Sequence, residues 1–292
     1  ADGLRVLLFT NIIENQPETF LIDRRNDYYS VNFFLPSPED IENKFLDNTL
    51  LDAEIVIDVE EDNKHTLRLL LFDCIIYESN NLSGKPYTSR LGRLTNFVIG
   101  PFKKKLEKDK DYARKLPFQM DLKKLHLSYG LAMVFEEIPK LKHKSDGIIF
   151  TSSVGPYVGG TCDKILKWKP SDENTVDFKV EIKGDPNNNP TYNILIWIGG
   201  RQHQFFQRLT VDKETQTLFL RKNPHNRVIE CRYDPCWEGS WRFVRFRDDK
   251  DKANHISVYE KIMTSINDNI EKSDLLNHAD IIKAKWKVRN KK

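Results

Sequence analysis

The sequence predicts an α+β protein with two globular parts and a helical tail, and three observations carry that expectation. At 292 residues the chain is long for one domain and comfortable for two. Up to about residue 170, strand-like runs mix with helical ones; from Val176 to Asp249, short strands follow one another between turn signals. Beyond that the pattern turns helical, so the boundaries are set at 1–172, 173–252 and 253–292.

In the first part, "ADGLRVLLFT" reaches the apolar run Leu4, Val6, Leu7, Leu8 and Phe9 almost at once. That reads as a buried strand reached from inside a longer protein, and further chain upstream is expected. "TLLDAEIVIDV" alternates, placing Leu51, Ala53, Ile55, Ile57 and Val59 on a packing face and Asp52, Glu54 and Asp58 on the other. "LRLLLFDCIIY" is a second strand, the polar 80s a loop, and "FKKKLEKDKDYARKLPF" a surface helix. In the second part, "VDFKVEI", "YNILIWI", "FFQRLTV", "TLFLRK", "RVIECRY" and "SWRFVRFR" read as strands of a small barrel or sandwich. They are separated by "GDPNNNP", "DKETQ" and "KNPHN". In the tail, Val258, Ile262, Ile266 and Ile270 recur at helical spacing and a Ser-Asp start stands at 273, which predicts two helices.

Composition excludes several classes. The 46 basic and 43 acidic residues nearly cancel, which argues against a polybasic binder and leaves any nucleic-acid contact to local patches. Apolar runs such as "LRLLLFDCII" fall short of the ~20 residues of a membrane span, so a soluble protein with no membrane partner is expected. Four cysteines without a CxxC spacing make no disulfide framework and fit a reducing compartment. Cys231, Cys236 and His225 lack a fourth ligand and the short spacings of a metal site.

Three segments could carry chemistry. In "DKILKWKP" a strand sets Lys167 and Lys169 on one face, about 7 Å apart, a spacing that suits adjacent phosphate oxygens, with Leu166 and Trp168 on the other. "SDGIIFT" poises Asp146 at a strand end. In "RFVRFRDDKDKANH", Arg245 and Arg247 share a face with Lys250 close behind, a cationic prong able to grip phosphate. Arg24 in "LIDRRNDYY" and Phe72 in "LLFDC" read by default as a surface salt bridge and a core residue.

Joint order raises these segments above such ordinary readings. "DGLR", "LLDAEIV", "LRLLLFDC", "SDGIIFT", "ILKWKP" and "VRFRDDK", collinear over residues 2 to 250, resemble the motifs of the covalent nucleotidyltransferases, the superfamily of mRNA capping enzymes and polynucleotide ligases. "LKWKP" followed by "ENTVDF", and "RVIEC" followed by "W...VRFRDDK...NH", are similar to the cellular capping guanylyltransferases, the fungal branch in particular. The resemblance implies a nucleotidyltransferase domain of antiparallel sheets with flanking helices, an OB-fold β-barrel and C-terminal helices. It also implies transfer of GMP from GTP, through a covalent lysyl-GMP, to the 5′-diphosphate end of nascent pre-mRNA. An ATP-dependent polynucleotide ligase and a non-catalytic relative that binds RNA or the transcription machinery are the alternatives.

The family's first motif is Lys-x-Asp-Gly-x-Arg, so the nucleophilic lysine is expected directly before Ala1. Ala53 stands where the family usually has Gly. By the same resemblance Lys167 and Lys169 hold the α-phosphate, and Asp146 meets a divalent metal, Mg²⁺ or Mn²⁺. Arg5 and Glu54 hold the ribose, Arg24 helps position the nucleotide, and Phe72 stacks on guanine. Arg245, Arg247 and Lys250 reach the outer phosphates. The implied setting is the nucleus, with the phosphorylated C-terminal tail of RNA polymerase II and an RNA 5′-triphosphatase as partners. The expected phosphate-accepting surface is residues 102–118, with seven basic and three acidic side chains, or the nearby Arg90 and Arg93.

Overall fold

The computed structural model describes residues 2–160, 162–170, 173–184 and 190–290. They divide into two compact units, Ala1–Trp168 with His278–Lys292, and Lys169–Asn277. The expected boundary at 172 and most of the "GDPNNNP" turn lie outside the described residues.

The first unit is built on an antiparallel sheet of β1 (Leu4–Ile13), β2 (Gln16–Ile22), β3 (Tyr28–Ser30), β4 (Thr49–Val59), β5 (His65–Tyr77) and β6 (Asn80–Asn81). Its spatial order is β3-β2-β1-β4-β5-β6, and β7 (Gln119–Leu122) joins β5 in parallel. β1 is buried on one side: Val6, Leu8 and Thr10 point inward, while Leu4 is 54% exposed. On β4 the expected alternation holds for Leu51 and Ala53, which are fully buried in the core. It reverses past Ile55, where Val56 and Asp58 are buried while Ile57 and Val59 are exposed. There the strand has outrun the core and residues 142–144 cover its other face, with the Val59 amide donating to the Lys142 carbonyl at 2.8 Å.

β5 departs from strict alternation in an informative way. Ala53 pairs with Leu71 and Asp52 with Asp73, so Phe72 is an extra residue without a partner; Ile75 is a second one, between the Leu51–Cys74 and Leu50–Ile76 pairs. Each bulge shifts the side-chain parity by one. The core face is therefore Leu69, Leu71, Cys74 and Tyr77.

Against this face pack α1 (Tyr87–Arg93), a π turn at Leu94–Ile99 and α2 (Gly100–Lys108), one continuous helical run burying Leu94, Val98, Ile99 and Phe102. The surface helix expected over 102–118 is thus the end of a run that begins at Tyr87 and stops at Asp109. The extended Asp109 then caps α3 (Lys110–Arg114) by accepting from the Tyr112 amide at 2.9 Å. α4 (Leu131–Glu137) follows, then a ribbon of β8 (Ile148–Thr151) and β9 (Ile165–Trp168).

The second unit is a five-stranded antiparallel sheet of β10 (Thr175–Lys183), β11 (Thr191–Gly199), β12 (Gln202–Arg208), β13 (Val228–Tyr233) and β14 (Trp241–Phe246), in the order β12-β11-β10-β13-β14. A helix, α5 (Lys213–Lys222), joins the third strand to the fourth, the OB-fold arrangement. The "TLFLRK" segment belongs to this helix and is not a strand. Asp212 caps it by accepting from the Thr215 amide, Glu214 stands in the first turn, Arg221 and Lys222 in the last, and Phe219 enters the core.

Among the described residues the tail holds three helices where two were expected: α6 (Ile256–Asp268), α7 (Lys272–Asn277) and α8 (Ala279–Arg289). Left-handed Asn269 ends α6, which packs through Tyr259, Ile262 and Met263; Val258 and Ile270 are exposed. The tail is no unit of its own, since α6 and α7 fall in the second compact unit and α8 in the first.

Candidate nucleotide site

The site grows from the outward face of β1, β4 and β5. Arg5 pairs with Glu54 in the β1–β4 register, one step from Asp52. Its guanidinium is forked onto Asp52, with Nε donating to Oδ1 at 2.9 Å and Nη2 to Oδ2 at 2.5 Å. Tyr157 donates to the same Asp52 carboxylate at 2.8 Å and accepts from Arg5 at 3.2 Å. The bond to Asp52 raises Arg5 further above its ordinary value, while burial, then Asp52, push the Tyr157 hydroxyl up. Arg5 is a fixed cation here, held in place by Asp52, which is buried beneath it. Glu54 accepts instead from Lys123 Nζ at 2.7 Å.

Phe72 lies on this face and not in the core. It is half-buried, with the Arg5 guanidinium carbon 5.9 Å and Lys123 Nζ 5.4 Å from its ring centroid. The bulge is what turns it outward, and Tyr87 pins its backbone by donating to the Phe72 carbonyl at 2.9 Å. A flat ring bracketed by two cations suits a planar, electron-rich ligand next to an anionic group.

Gly3 fixes how closely the first motif approaches β4. A Cβ there would lie 2.4 Å from the Ile55 carbonyl oxygen and 2.8 Å from Val56 Cγ1, and a strand's backbone oxygen cannot retreat cheaply. Gly3→Ala is expected to cost about 1–3 kcal/mol by overpacking. Urea unfolding with an unchanged midpoint would contradict this.

The ribbon carries two more of the expected residues. Its register sets Ile148 opposite Trp168 and Ile149 opposite Lys167, so Lys167 and Asp146, two residues ahead of β8, approach the same end. Lys167 is exposed and Asp146 half-buried; Lys169 follows just beyond β9. Trp168 packs edge-on against Phe135, whereas Leu166, expected on the packed face with it, is 63% exposed because the two-stranded ribbon covers only part of that face. Among the described residues no three Asp, Glu, His or Cys side chains converge as a metal cage, and Asp52 and Glu54 are already held by cations. A single carboxylate such as Asp146 is the kind of ligand a hard cation takes while keeping its other positions for water and substrate phosphates.

Other expected residues are placed differently. Arg24 is exposed on the turn after β2, where its neighbour Arg25 makes the surface ion pairs, to Asp23 at 3.6 Å and Asp27 at 3.3 Å. Arg90 cannot belong to a phosphate-accepting surface. It is 2% exposed and forked onto Asp73, with Nε and Nη2 at 2.8 and 2.9 Å from the two oxygens, and Nη1 also donates to the carbonyls of Lys85 and Gly155. Arg93 lies over the rings of Phe97 and Tyr77 at 4.1 and 4.9 Å. Within 102–118, Lys103, Lys105, Lys108 and Arg114 each have a carboxylate within 4 Å.

In the second unit the cationic prong is paired with acids, Arg247 half-buried and Arg245 still exposed to solvent. Arg245 Nε donates to Glu230 at 2.6 Å; Arg247 is forked onto Asp249 at 2.9 and 2.7 Å and reaches buried Asp177 at 3.2 Å; Lys250 donates to Asp177 at 2.5 Å. Arg247 holds the Asp249 carboxyl down to about 2. Asp177 is itself anchored by Asn254, whose side chain accepts from the Asp177 amide at 2.7 Å and whose amide donates to the Asp177 carbonyl at 2.8 Å.

Residues 1–171 match the family model of the mRNA capping enzyme catalytic domain, and residues 173–276 that of the mRNA capping enzyme C-terminal domain. The chain belongs to the mRNA capping enzyme family. Capping enzyme relatives include the mRNA-capping enzyme subunit alpha of Schizosaccharomyces pombe, 37% identical over all of this chain and 76% of its own length. That of Yarrowia lipolytica is 36% identical over all of this chain and 78% of its own length. A solved mycobacterial DNA ligase D complexed with ATP and MES superposes with a TM-score of 0.45 at 16% identity, covering 85% of this chain and 87% of that one, too loosely to bear on activity.

For this capping enzyme family member the structure brings together Arg5, Glu54 and Phe72, and it adds three residues that sequence reading missed. Asp52 stood among the outward carboxylates without a role. Lys123 follows β7, whose parallel pairing with β5 has no local signal, and Tyr157 lies in a loop. The lysine expected before Ala1 lies outside the described residues, as does Ala1 itself.

Proposed function

We propose that this chain is a GTP:RNA guanylyltransferase that carries GMP on a lysine directly before Ala1 and passes it to the 5′-diphosphate end of nascent RNA. Family membership supports the reaction class, and the Phe72 platform, between Arg5 and Lys123 above the Asp52–Glu54 pair, is the observation that carries the nucleotide reading.

In the first step the amine lone pair forms a P–N bond to the α-phosphorus, the bond from the α-phosphorus to the bridging oxygen breaks, and pyrophosphate leaves with that electron pair; the amine gives up its proton. Asp2 and Gly3, locked beside β4, set where such an amine stands. Lys167 and Lys169 lower its pKa by their charge and hold the α-phosphate. Phe72 carries the base, while Arg5 and Glu54, each fixed by a partner, meet the ribose. Arg24 helps position the nucleotide from its exposed turn, and Arg245, Arg247 and Lys250 take the outer phosphates. Asp146 would hold Mg²⁺ or Mn²⁺, which when bound would supply positive charge against that developing on the phosphates. In the second step an RNA β-phosphate oxygen forms a bond to the same phosphorus, the P–N bond breaks, and the lysine amine leaves with that electron pair and takes up a proton. A nuclear setting, the phosphorylated polymerase tail and an RNA 5′-triphosphatase as partners belong to this reading.

The test is to incubate the full-length protein with GTP or ATP labelled at the α-phosphate. Protein-bound label is expected from GTP only, reversible by pyrophosphate and transferable to diphosphate-ended RNA. Label from ATP alone would replace this reading with a ligase, and label from neither with a non-catalytic relative.

A further inference from the structure

Asp58, Arg68 and His143 form a hydrogen-bonded group around a buried carboxylate, apart from the face that carries Phe72. Asp58 on β4 is 2% exposed; its Oδ2 accepts from Arg68 Nε at 2.5 Å and its Oδ1 lies 2.8 Å from His143 Nδ1. Arg68 continues to Asp121 and Gln119 on β7. Burial alone would raise Asp58, but the bonds from Arg68 and His143 outweigh it and hold the carboxyl below its ordinary value. An ionised carboxylate only accepts, so the Nδ1 proton of His143 must be the donor.

His143 is the centre of a three-residue splint. The Lys142 carbonyl accepts from the Val59 amide at 2.8 Å, and Lys142 Nζ is paired with Glu60. On the other side the Lys144 carbonyl accepts from the Asp2 amide at 2.9 Å. Two residues later the chain reaches Asp146. One short segment thus ties the end of β4 to Asp2, two residues after the expected nucleophile, and leads into the expected metal-facing carboxylate. Between its two backbone bonds, the His143 to Asp58 bond is the one side-chain anchor that enters the interior.

We infer that His143 is a positioning residue: through its Nδ1 bond to Asp58 it sets the placement of Asp2 and Asp146 relative to each other, and so the attack geometry of the lysine. This rests on the guanylyltransferase reading above. Asparagine can place an amide N–H near the Nδ1 position, whereas glutamine places its own near Nε2. His143→Asn is therefore expected to stay close to wild type. His143→Gln is expected to slow adduct formation by a factor on the order of ten to a hundred, as small misplacements do, with little change in the KM for GTP.

The experiment uses the full-length protein and measures single-turnover GMP labelling together with hydrogen exchange at the Asp2 and Val59 amides. His143→Gln should exchange faster at both amides and label slowly, with His143→Asn restoring both. Equal labelling by all three proteins would overturn the inference, as would equal impairment of both variants. If the glutamine variant does not fold, the wild-type imidazole still decides: long-range proton–nitrogen spectra of the neutral ring should show the Nδ1–H tautomer, and an Nε2–H tautomer would overturn it. A wild type that takes no label at all rejects the guanylyltransferase reading instead.

Discussion

Arg247→Ala should slow formation of the GMP adduct from GTP on the order of a hundredfold, the usual cost of losing one preorganised donor, while transfer of GMP from a preformed adduct to RNA stays near normal. In the proposed reaction this side chain touches only phosphates that leave with pyrophosphate, so it has no work once the adduct exists. The fold should survive the change, because Asp177 keeps Lys250 and Asn254, and Glu230 keeps Arg245. Lys167→Ala should damage both steps, since the α-phosphate reacts twice. The assay isolates the adduct after long labelling, adds diphosphate-ended RNA without GTP and times the transfer. Transfer slowed by Arg247→Ala as much as adduct formation would place Arg247 on the reacting phosphate and end the two-step assignment.

The largest effect on stability is expected at Arg90. Its removal strands the Asp73 carboxylate, which is 6% exposed and takes both arms of the guanidinium fork. Breaking a buried pair from one side costs about 3–5 kcal/mol because an uncompensated charge is left behind. Arg90→Ala should lower the urea midpoint accordingly, and Arg90→Lys should recover little because an ammonium cannot make the fork. The apolar pair Arg90→Met with Asp73→Leu should regain most of the loss. A single-variant loss below about 1 kcal/mol, the worth of a surface pair, would mean that water reaches Asp73.

The parts of the fold legible in the sequence were those set by short-range pattern. Alternation from Leu51 to Ile55 put Asp52 and Glu54 outward, and the turn signals marked five of the six expected barrel segments. "TLFLRK" was misread because its apolar residues fit a strand as well as a helix, and the deciding feature, the Asp212 cap, lies outside the segment. Phe72 reads by default as core in the sequence, because a bulge is a property of two strands together. The Arg90–Asp73 fork and the Lys123–Glu54 pair escaped for the same reason, joining residues 17 and 69 apart in the chain. Arg90 next to Arg93 looked like surface charge when its counter-ion was out of view.

The two bulges of β5 also say something about how such a site is written into a strand. Without Phe72 and Ile75 the ladder to β4 would run one for one, Leu71 with Ala53, Asp73 with Asp52, Cys74 with Leu51 and Ile76 with Leu50. Leu69, Leu71, Cys74 and Tyr77 would then keep the core in unbroken alternation. A shorter strand is structurally sufficient, and the residue proposed to carry the base is supernumerary to it. Phe72 is in effect an insertion, accommodated by local twist and leaving the reading frame of the core intact on either side. The frame tolerates loss of the ring's whole residue better than a shift at Leu69 or Leu71, which would turn every apolar side chain beyond it to the wrong face.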